Sequence, residues 1–297
     1  MYTFHKDEPD LLLPWVHYHA GLVGKENVHI IDHQSTHPEV VSTLEILSQV
    51  GMDIEYFNGS FGSKGKVLTE KMKKCPNNCS FLLPLDVDEF ITLRNWSEPH
   101  TMFSSSPSDI REALSVLPID GYKYKFVNIQ AALSRQVEKV HLRPFAATKF
   151  YGFKINQCKA KTFYHSSSFV HTDVGHHVGK ASGICNEGVK HWQPRCRDCF
   201  HKTPLAVIHF GVGSAMDFDS FYQKNMRGAN VYGRDKSYGS GSHCNKGPGR
   251  HYCRFFRDVR SKGKDSMKAA FLREYSRLTL YENKGLLFAL VNYSLSS

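Results

Sequence analysis

The sequence lacks any apolar segment long enough to cross a bilayer. A membrane-spanning helix needs about 20 mostly apolar residues, and the longest apolar tract near the C-terminus runs only from Gly285 to Val291. The first eight residues also lack the apolar stretch of a secretory signal peptide. We therefore expect no membrane span and no signal peptide here, which leaves either a cytosolic protein or a chain given without its upstream part.

Internal repeats and low-complexity linkers are also absent from the sequence. The 297 residues suffice to bury a substantial core. Hydrophobic residues at 41 % and charged residues at 22 % are proportions typical of a globular protein. The sequence therefore predicts one domain spanning residues 1–297.

Acidic residues are too few to balance the basic ones. The chain has 28 Asp and Glu against 38 Lys and Arg, a formal net charge of +10. This excess favours an anionic ligand, such as a substrate that carries phosphate. The basic residues are spread along the chain without a nucleic-acid-binding motif, so we expect no nucleic-acid partner.

Cysteine is present in an even number, eight, which permits four disulfides. N-x-Ser glycosylation sequons begin at Asn58, Asn78, Asn95 and Asn292. Both features favour the secretory lumen, where disulfides persist, and the alternative is reduced thiols with chance sequons. We predict at least one disulfide. The candidates are Cys75 with Cys79, or a pair among Cys185, Cys196, Cys199, Cys244 and Cys253.

Strand and helix patterns alternate through the first 85 residues. The predicted strands are residues 2–4, 28–31, 52–57 and 80–85, and the predicted helices begin at residue 9 or 10, at 38 and at 67. This alternation is typical of a parallel sheet covered by helices. We therefore predict an α/β fold with a mostly parallel central sheet flanked by helices. The pattern weakens after residue 91, so the C-terminal part is predicted to be irregular.

Two carboxylates, Asp86 and Asp88, follow the apolar run 80–85. Acidic side chains next to such a run are costly unless they are solvated, paired or coordinating. Oxygen ligands suit Mg²⁺ or Mn²⁺, so the motif indicates a divalent metal site, although Asp-x-Asp also occurs by chance. Asp32 ends an earlier predicted strand, so one cleft is expected to hold both Asp32 and Asp86. Because facing carboxylates repel, replacing Asp86 or Asp88 is expected to leave folding intact.

Four motifs occur in order, and together they carry a family resemblance. They are Lys6-Asp7-Glu8 with Leu12-x-x-Trp15-x-x-Tyr18-His19, then Ile31-Asp32-His33-Gln34-Ser35, then Leu85-Asp86-Val87-Asp88-Glu89-Phe90, then His209-Phe210 ahead of Phe218 to Gly228. This order resembles the glycosyltransferase family 2-like and family 92-like proteins, which have the GT-A fold. The similarity covers about residues 4–232. Only Met1 to His5 precede the first motif, so the first strand is unusually short for that pattern.

The resemblance implies a metal-dependent glycosyltransferase of GT-A type. Its donor would be a nucleotide-sugar, with a UDP-sugar favoured, and its acceptor a glycan or glycoconjugate hydroxyl. The nucleotide-binding half would span about residues 1–92 and the acceptor half about 93–297.

The resemblance also implies roles for individual residues. The implied donor-binding residues are Glu8, Asp32, Asp86, Lys224 and Arg227, and the implied ligands of Mn²⁺ or Mg²⁺ are Asp86, Asp88 and His209. Inverting transfer needs a carboxylate base on the acceptor hydroxyl. The candidates for that base are Asp173 and Glu89, and Glu89 alternatively only orients the acidic motif.

Plainer interpretations stay open for several of these residues. Glu8 and Asp32 alternatively serve as a helix N-terminal charge and a turn residue, and His209 as a core histidine. Lys64 and Lys66 lie in a Gly-rich segment expected to be flexible surface, and His176 and His177 in a turn expected to be solvated.

Two other function classes remain at this stage. One is a catalytically inactive relative that binds carbohydrate or a partner, against which the presence of Asp86, Asp88 and His209 argues. The other is a basic nucleic-acid-binding module, which predicts steep salt dependence and no requirement for Mn²⁺.

Overall fold

The computed structural model describes part of the chain: residues 1–9, 11–75, 79–94, 103–104, 106–119, 123–133, 148–151, 160–176, 179–182, 200–209, 219, 222, 226, 258–269 and 280–281. Within these residues, no helix combines the length and apolarity that a membrane span requires.

The structure is an α/β fold, as predicted. Among the described residues, the α-helices are α1 (Leu12–Val23), α2 (Pro38–Gln49), α3 (Lys64–Lys73) and α4 (Pro107–Ser115), and further helical residues include 258–262 and 264–269. The strands are β1 (Tyr2–His5), β2 (His29–Asp32), β3 (Asp53–Tyr56), β4 (Phe81–Leu82), β5 (Glu89–Arg94), β6 (Phe103–Ser104), β7 (Lys123–Leu133), β8 (Thr148–Tyr151), β9 (Thr162–His165), β10 (Phe169–His171), β11 (Lys180–Ala181), β12 (Phe200–His209) and β13 (Leu280–Tyr281).

A parallel sheet forms the N-terminal part, in the order β1-β2-β3. The segment 83–85 adds a fourth parallel row beside β1, because the Tyr2 N–H donates to the Leu83 carbonyl oxygen at 3.0 Å and the Leu85 N–H to the Tyr2 carbonyl oxygen at 2.9 Å. Pro84 lacks an N–H to donate, and regular pairing in the predicted strand 80–85 is confined to β4. All four rows therefore end at the same edge of the sheet.

The other sheet is mostly antiparallel, and it includes β4, which pairs antiparallel with β9. β5 pairs antiparallel with β12, which pairs parallel with β7, and β7 pairs antiparallel with β8 and β9. The turn 86–88 therefore lies between the parallel row 83–85 and strand β5, which pairs antiparallel.

Helix α1 covers one backbone edge of β5 with polar groups. The Trp15 indole N–H donates to the Glu89 carbonyl oxygen at 2.9 Å, and the Tyr18 hydroxyl donates to the Ile91 carbonyl oxygen. The Ile91 N–H donates to His19 Nε2 at 3.4 Å. Residues three and four apart share one face of a helix, which explains the Trp-x-x-Tyr-His spacing. Trp15 is fully buried, as expected for a core residue.

The predicted Cys75–Cys79 disulfide is confirmed. The other six cysteines lie outside the described residues. Helix α4 begins at Pro107, where the Ser106 hydroxyl caps it by accepting from the Asp109 N–H at 3.4 Å.

Tyr18→Phe tests the attachment of α1 to β5. The variant keeps the ring but leaves the Ile91 carbonyl without the hydroxyl, so unfolding should become easier by about 1–3 kcal/mol. The matched control is Tyr56→Phe, at a ring that is 63 % exposed. Urea titration giving equal loss in both variants would contradict the assigned contact.

His19 should make stability depend on pH. Burial lowers the pKa of His19 from 6.5 to about 3, so below pH 6.5 the unfolded chain binds this proton more readily than the folded protein. The stability contribution is complete above pH 6.5 and is lost as the pH falls toward 3. Between pH 7 and pH 5 the parent should lose about 2 kcal/mol more than His19→Gln. Urea titrations at both pH values measure this difference, and identical losses would refute it.

Candidate metal and nucleotide site

The Asp86 carboxylate lies between two buried lysines. Lys64 donates to Oδ1, and Lys161 donates to Oδ2 at 2.5 Å. The lysine side chains are 6 % and 5 % exposed, whereas that of Asp86 is 29 % exposed. Although burial opposes ionisation, the charges of Lys161 and Lys64 hold the pKa of Asp86 well below its usual range. Asp86 is therefore a carboxylate at neutral pH.

Backbone packing brings His176 to the same carboxylate. The first turn of α3 carries Gly65, where a Cβ atom would lie 3.0 Å from the Asp173 carbonyl carbon and the Val174 nitrogen. A glycine at this position lets the turn 172–176 approach α3 closely. In that turn, His176 is buried, with Nε2 3.6 Å from Asp86 Oδ1. Burial lowers the pKa of His176 to about 3, so its imidazole is neutral.

Glu89 is fully buried beside this cluster. Its Oε2 accepts from the Asp86 N–H at 3.0 Å, and its Oε1 lies 3.2 Å from Lys161 Nζ, without the geometry of a hydrogen bond. Burial raises the pKa of Glu89. Lys161 thus contacts both Asp86 and Glu89, and despite its own burial these carboxylates raise the pKa of Lys161.

Asp88, Glu89 and His209 form a candidate metal-binding group. One ligand atom from each lies within 4.8 Å of the others, and His209 Nε2 lies 3.3 Å from Asp88 Oδ2. The β5–β12 register explains the convergence, since His209 is directly opposite Glu89. Adjacent ligands of an octahedral ion with bonds of about 2.1 Å are roughly 3 Å apart, so the His209–Asp88 separation suits a shared cation.

Asp32, at the end of β2, is buried and fixes the loop that follows. Its Oδ2 accepts from the Ser35 N–H at 3.0 Å, its Oδ1 accepts from the Ser35 hydroxyl, and His5 Nε2 is 3.4 Å from Oδ1. Asp7 joins this loop to the preceding one, because its Oδ1 accepts from the Thr36 and His37 N–H groups.

A cavity of about 410 Å³ opens beside this loop. Its lining includes Asp32, Ser35, Tyr56, Phe57 and Asn58. It therefore lies at the sheet edge where the parallel strands end, the edge that also carries Asp86.

Of the remaining predicted site residues, two lie in the described part of the structure and two lie outside it. Glu8 is half-buried at the start of α1, where its carbonyl oxygen accepts from the Leu12 N–H at 3.1 Å. Asp173 is half-buried in the turn that carries His176. Lys224 and Arg227 lie outside the described residues.

Two expectations about surface residues were wrong. Lys64 and His176 are buried, at 4 % and 0 % exposure, rather than solvated. Lys161, which the sequence reasoning missed, follows Ala160 and precedes β9 without any motif around it. A shared cation between Asp86 and Asp88 stays a prediction, since in this structure the Asp86 oxygens contact lysines.

Comparisons with known proteins add little. No protein-family model and no curated protein matches the chain. Among eight matching solved chains are two structures of S. aureus TarS 1–349, one of them in complex with UDP. Each is 12 % identical to this chain over 56 % of its length, with TM-scores of 0.31 for the UDP complex and 0.29 for the other. The matches cover 47 % of the TarS chains, so this chain spans about half their length. Similarity at this level shows no function for this chain.

Asp86→Asn should destabilise the protein, in contrast to the expectation from acid–acid repulsion. The substitution leaves two buried ammonium groups without their shared carboxylate, which should cost about 3 kcal/mol or more. Asp53→Asn is the matched control, because Asp53 pairs with Lys71 at 3.0 Å while 42 % exposed, and such pairs contribute at most about 1 kcal/mol. Chemical denaturation of both variants gives the comparison, and a similarly small loss for Asp86→Asn would contradict the buried pairing.

Proposed function

We propose that this protein is a metal-dependent glycosyltransferase that moves a sugar from a nucleotide-sugar, with a UDP-sugar favoured, to a hydroxyl of a glycan or other acceptor. The observation that carries the proposal is the convergence of Asp88, Glu89 and His209 beside the edge where the parallel strands end. The ordered sequence motifs point to the same activity.

The order of the parallel rows supports a ligand site at this edge. The chain passes outward from β1 to β2 and β3, then returns to place segment 83–85 on the other side of β1. In open α/β sheets, such a reversal leaves a crevice beyond the strand ends, and ligands bind there. Asp86 lies on one side of this reversal and Asp32 on the other.

The cavity beside Asp32 suits the nucleoside of the donor. Tyr56 and Phe57 offer aromatic faces for a base, and Asn58 offers a side-chain amide. Since Asp32 already binds Ser35 twice, its role in this proposal is to hold the loop in shape. Glu8, Lys224 and Arg227 stay predictions for further donor contacts.

The candidate ligands Asp88, Glu89 and His209 fit Mn²⁺ or Mg²⁺. Two carboxylates suit either ion, and the imidazole of His209 favours Mn²⁺. When bound, the cation would offset the negative charge that develops on the departing nucleoside diphosphate.

Asp173 is the better of the two base candidates. Glu89 is fully buried and contacts the Asp86 N–H and Lys161, whereas Asp173 is partly exposed in the adjoining turn. In the proposed inverting reaction, Asp173 accepts the proton of the acceptor hydroxyl. The hydroxyl oxygen then forms the bond to the anomeric carbon, and the bond from that carbon to the diphosphate breaks, with its electron pair leaving on the nucleoside diphosphate.

Release of UDP from a panel of UDP-sugars, with Mn²⁺ or with EDTA, tests the proposal. The parent should turn over at least one UDP-sugar only with the metal present. Asp88→Ala should reduce kcat by at least about 10²-fold, comparable to the loss of a major transition-state stabiliser, and His209→Ala should be milder if the imidazole is an auxiliary ligand.

Asp53→Asn is the control for this assay, because Asp53 lies at the opposite, starting end of β3, and its activity should equal that of the parent. Melting temperatures of all variants separate lost chemistry from lost folding. Full Mn²⁺-dependent activity in Asp88→Ala would sink the proposal, and binding of sugars without any turnover would identify an inactive relative instead.

A further inference from the structure

Two lysine ammonium groups lie against the carboxylates at residues 86–89. Asp86, Asp88 and Glu89 place three carboxylates close together in the chain, and Lys64 and Lys161 lie against two of them, Asp86 and Glu89. A site built only to capture a free divalent cation would gain from leaving all three carboxylates available, because each contributes attraction. Here the two ammonium groups already offset most of that negative charge.

Lys161 is the lysine that lies against two of the carboxylates, Asp86 and Glu89. It contacts Asp86 Oδ2 at 2.5 Å and lies 3.2 Å from Glu89 Oε1, whereas Lys64 contacts Asp86. Glu89 also belongs to the group that includes Asp88 and His209. The Lys161 charge is therefore adjacent to a proposed metal ligand, and with 5 % side-chain exposure it is poorly screened by water.

Stability alone is a weak reason for this arrangement. Burying ammonium groups costs several kcal/mol each before pairing, and buried ion pairs often stabilise no more than apolar residues of similar size. A cation close to a metal site does, however, have a direct effect on what binds there.

We propose that Lys161, assisted by Lys64, makes divalent-metal binding depend on the nucleoside diphosphate; this rests on the function proposed above. With the lysines in place, the carboxylates attract a free cation only weakly. A diphosphate brings further negative charge, so the metal and the diphosphate bind well together and poorly apart. Because such coupling is reciprocal, the metal strengthens diphosphate binding by the same factor.

Mn²⁺ binding measured by electron paramagnetic resonance, with and without UDP, tests this coupling. The parent should bind Mn²⁺ at least about tenfold more tightly in the presence of UDP. Lys161→Met should bind Mn²⁺ without UDP at least about tenfold more tightly than the parent does, because a charge next to a ligand is removed. The factor by which UDP strengthens Mn²⁺ binding should therefore be smaller in Lys161→Met than in the parent.

Two further variants provide graded controls. Lys64→Met should shift Mn²⁺ affinity in the same direction by a smaller factor, since Lys64 does not approach Glu89 within ion-pair distance in the described structure. Lys66→Met, on the same helix at a side chain 78 % exposed, should bind Mn²⁺ as the parent does. Circular dichroism confirms folding, and if Lys161→Met does not fold, Lys64→Met decides the matter by the direction of its shift.

The outcomes separate this inference from the proposed function. A parent with Mn²⁺-dependent turnover, together with folded lysine variants whose Mn²⁺ affinity is unchanged or weaker, overturns the role of the lysines and leaves the function standing. A parent that shows neither turnover nor UDP-enhanced Mn²⁺ binding overturns both.

Discussion

The shared carboxylate of Asp86 is the interaction on which the site depends. It joins the first turn of α3 and the segment before β9 to the turn 86–88, through partners 22 and 75 residues away in sequence. Each ammonium group would be costly to bury without the carboxylate. The three segments are therefore stable in this arrangement only together, and the geometry around the candidate metal ligands depends on all of them.

This interaction lies where the two halves of the fold meet. The parallel rows end on one side of the turn 86–88, and β5, which pairs antiparallel with β12, begins on the other. Strand pairing carries Glu89 to a position opposite His209, a residue far along the chain. Strand pairing thus brings the candidate metal ligands together, and the two lysines place positive charge beside them.

Local patterns in the sequence predicted the N-terminal half well. Apolar runs and helical spacing are set by nearby residues, so β1 to β3 and α1 to α3 were found with small errors at their ends. The Cys75–Cys79 disulfide was predictable because the two cysteines are close in sequence. Asp86 and Asp88 could be recognised as a candidate metal site because they follow an apolar run.

The rest of the site depends on contacts between distant residues. Lys161 precedes a short strand with no motif, and a lone lysine ordinarily indicates an exposed position. His176 has a left-handed backbone, φ 56°, and its burial arises from the approach of its turn to Gly65. Neither environment is specified by neighbouring residues, so a single sequence offers no signal for it.

The contacts between α1 and β5 have a consequence for association between chains. A strand edge with free N–H and C=O groups is a template for pairing with another molecule. The side chains of Trp15, Tyr18 and His19 occupy that edge at residues 89–91. If α1 detached, this edge would be uncovered next to apolar residues of the core. We therefore expect the first species to aggregate on heating to be a partly unfolded protein that has lost α1 but keeps its sheet.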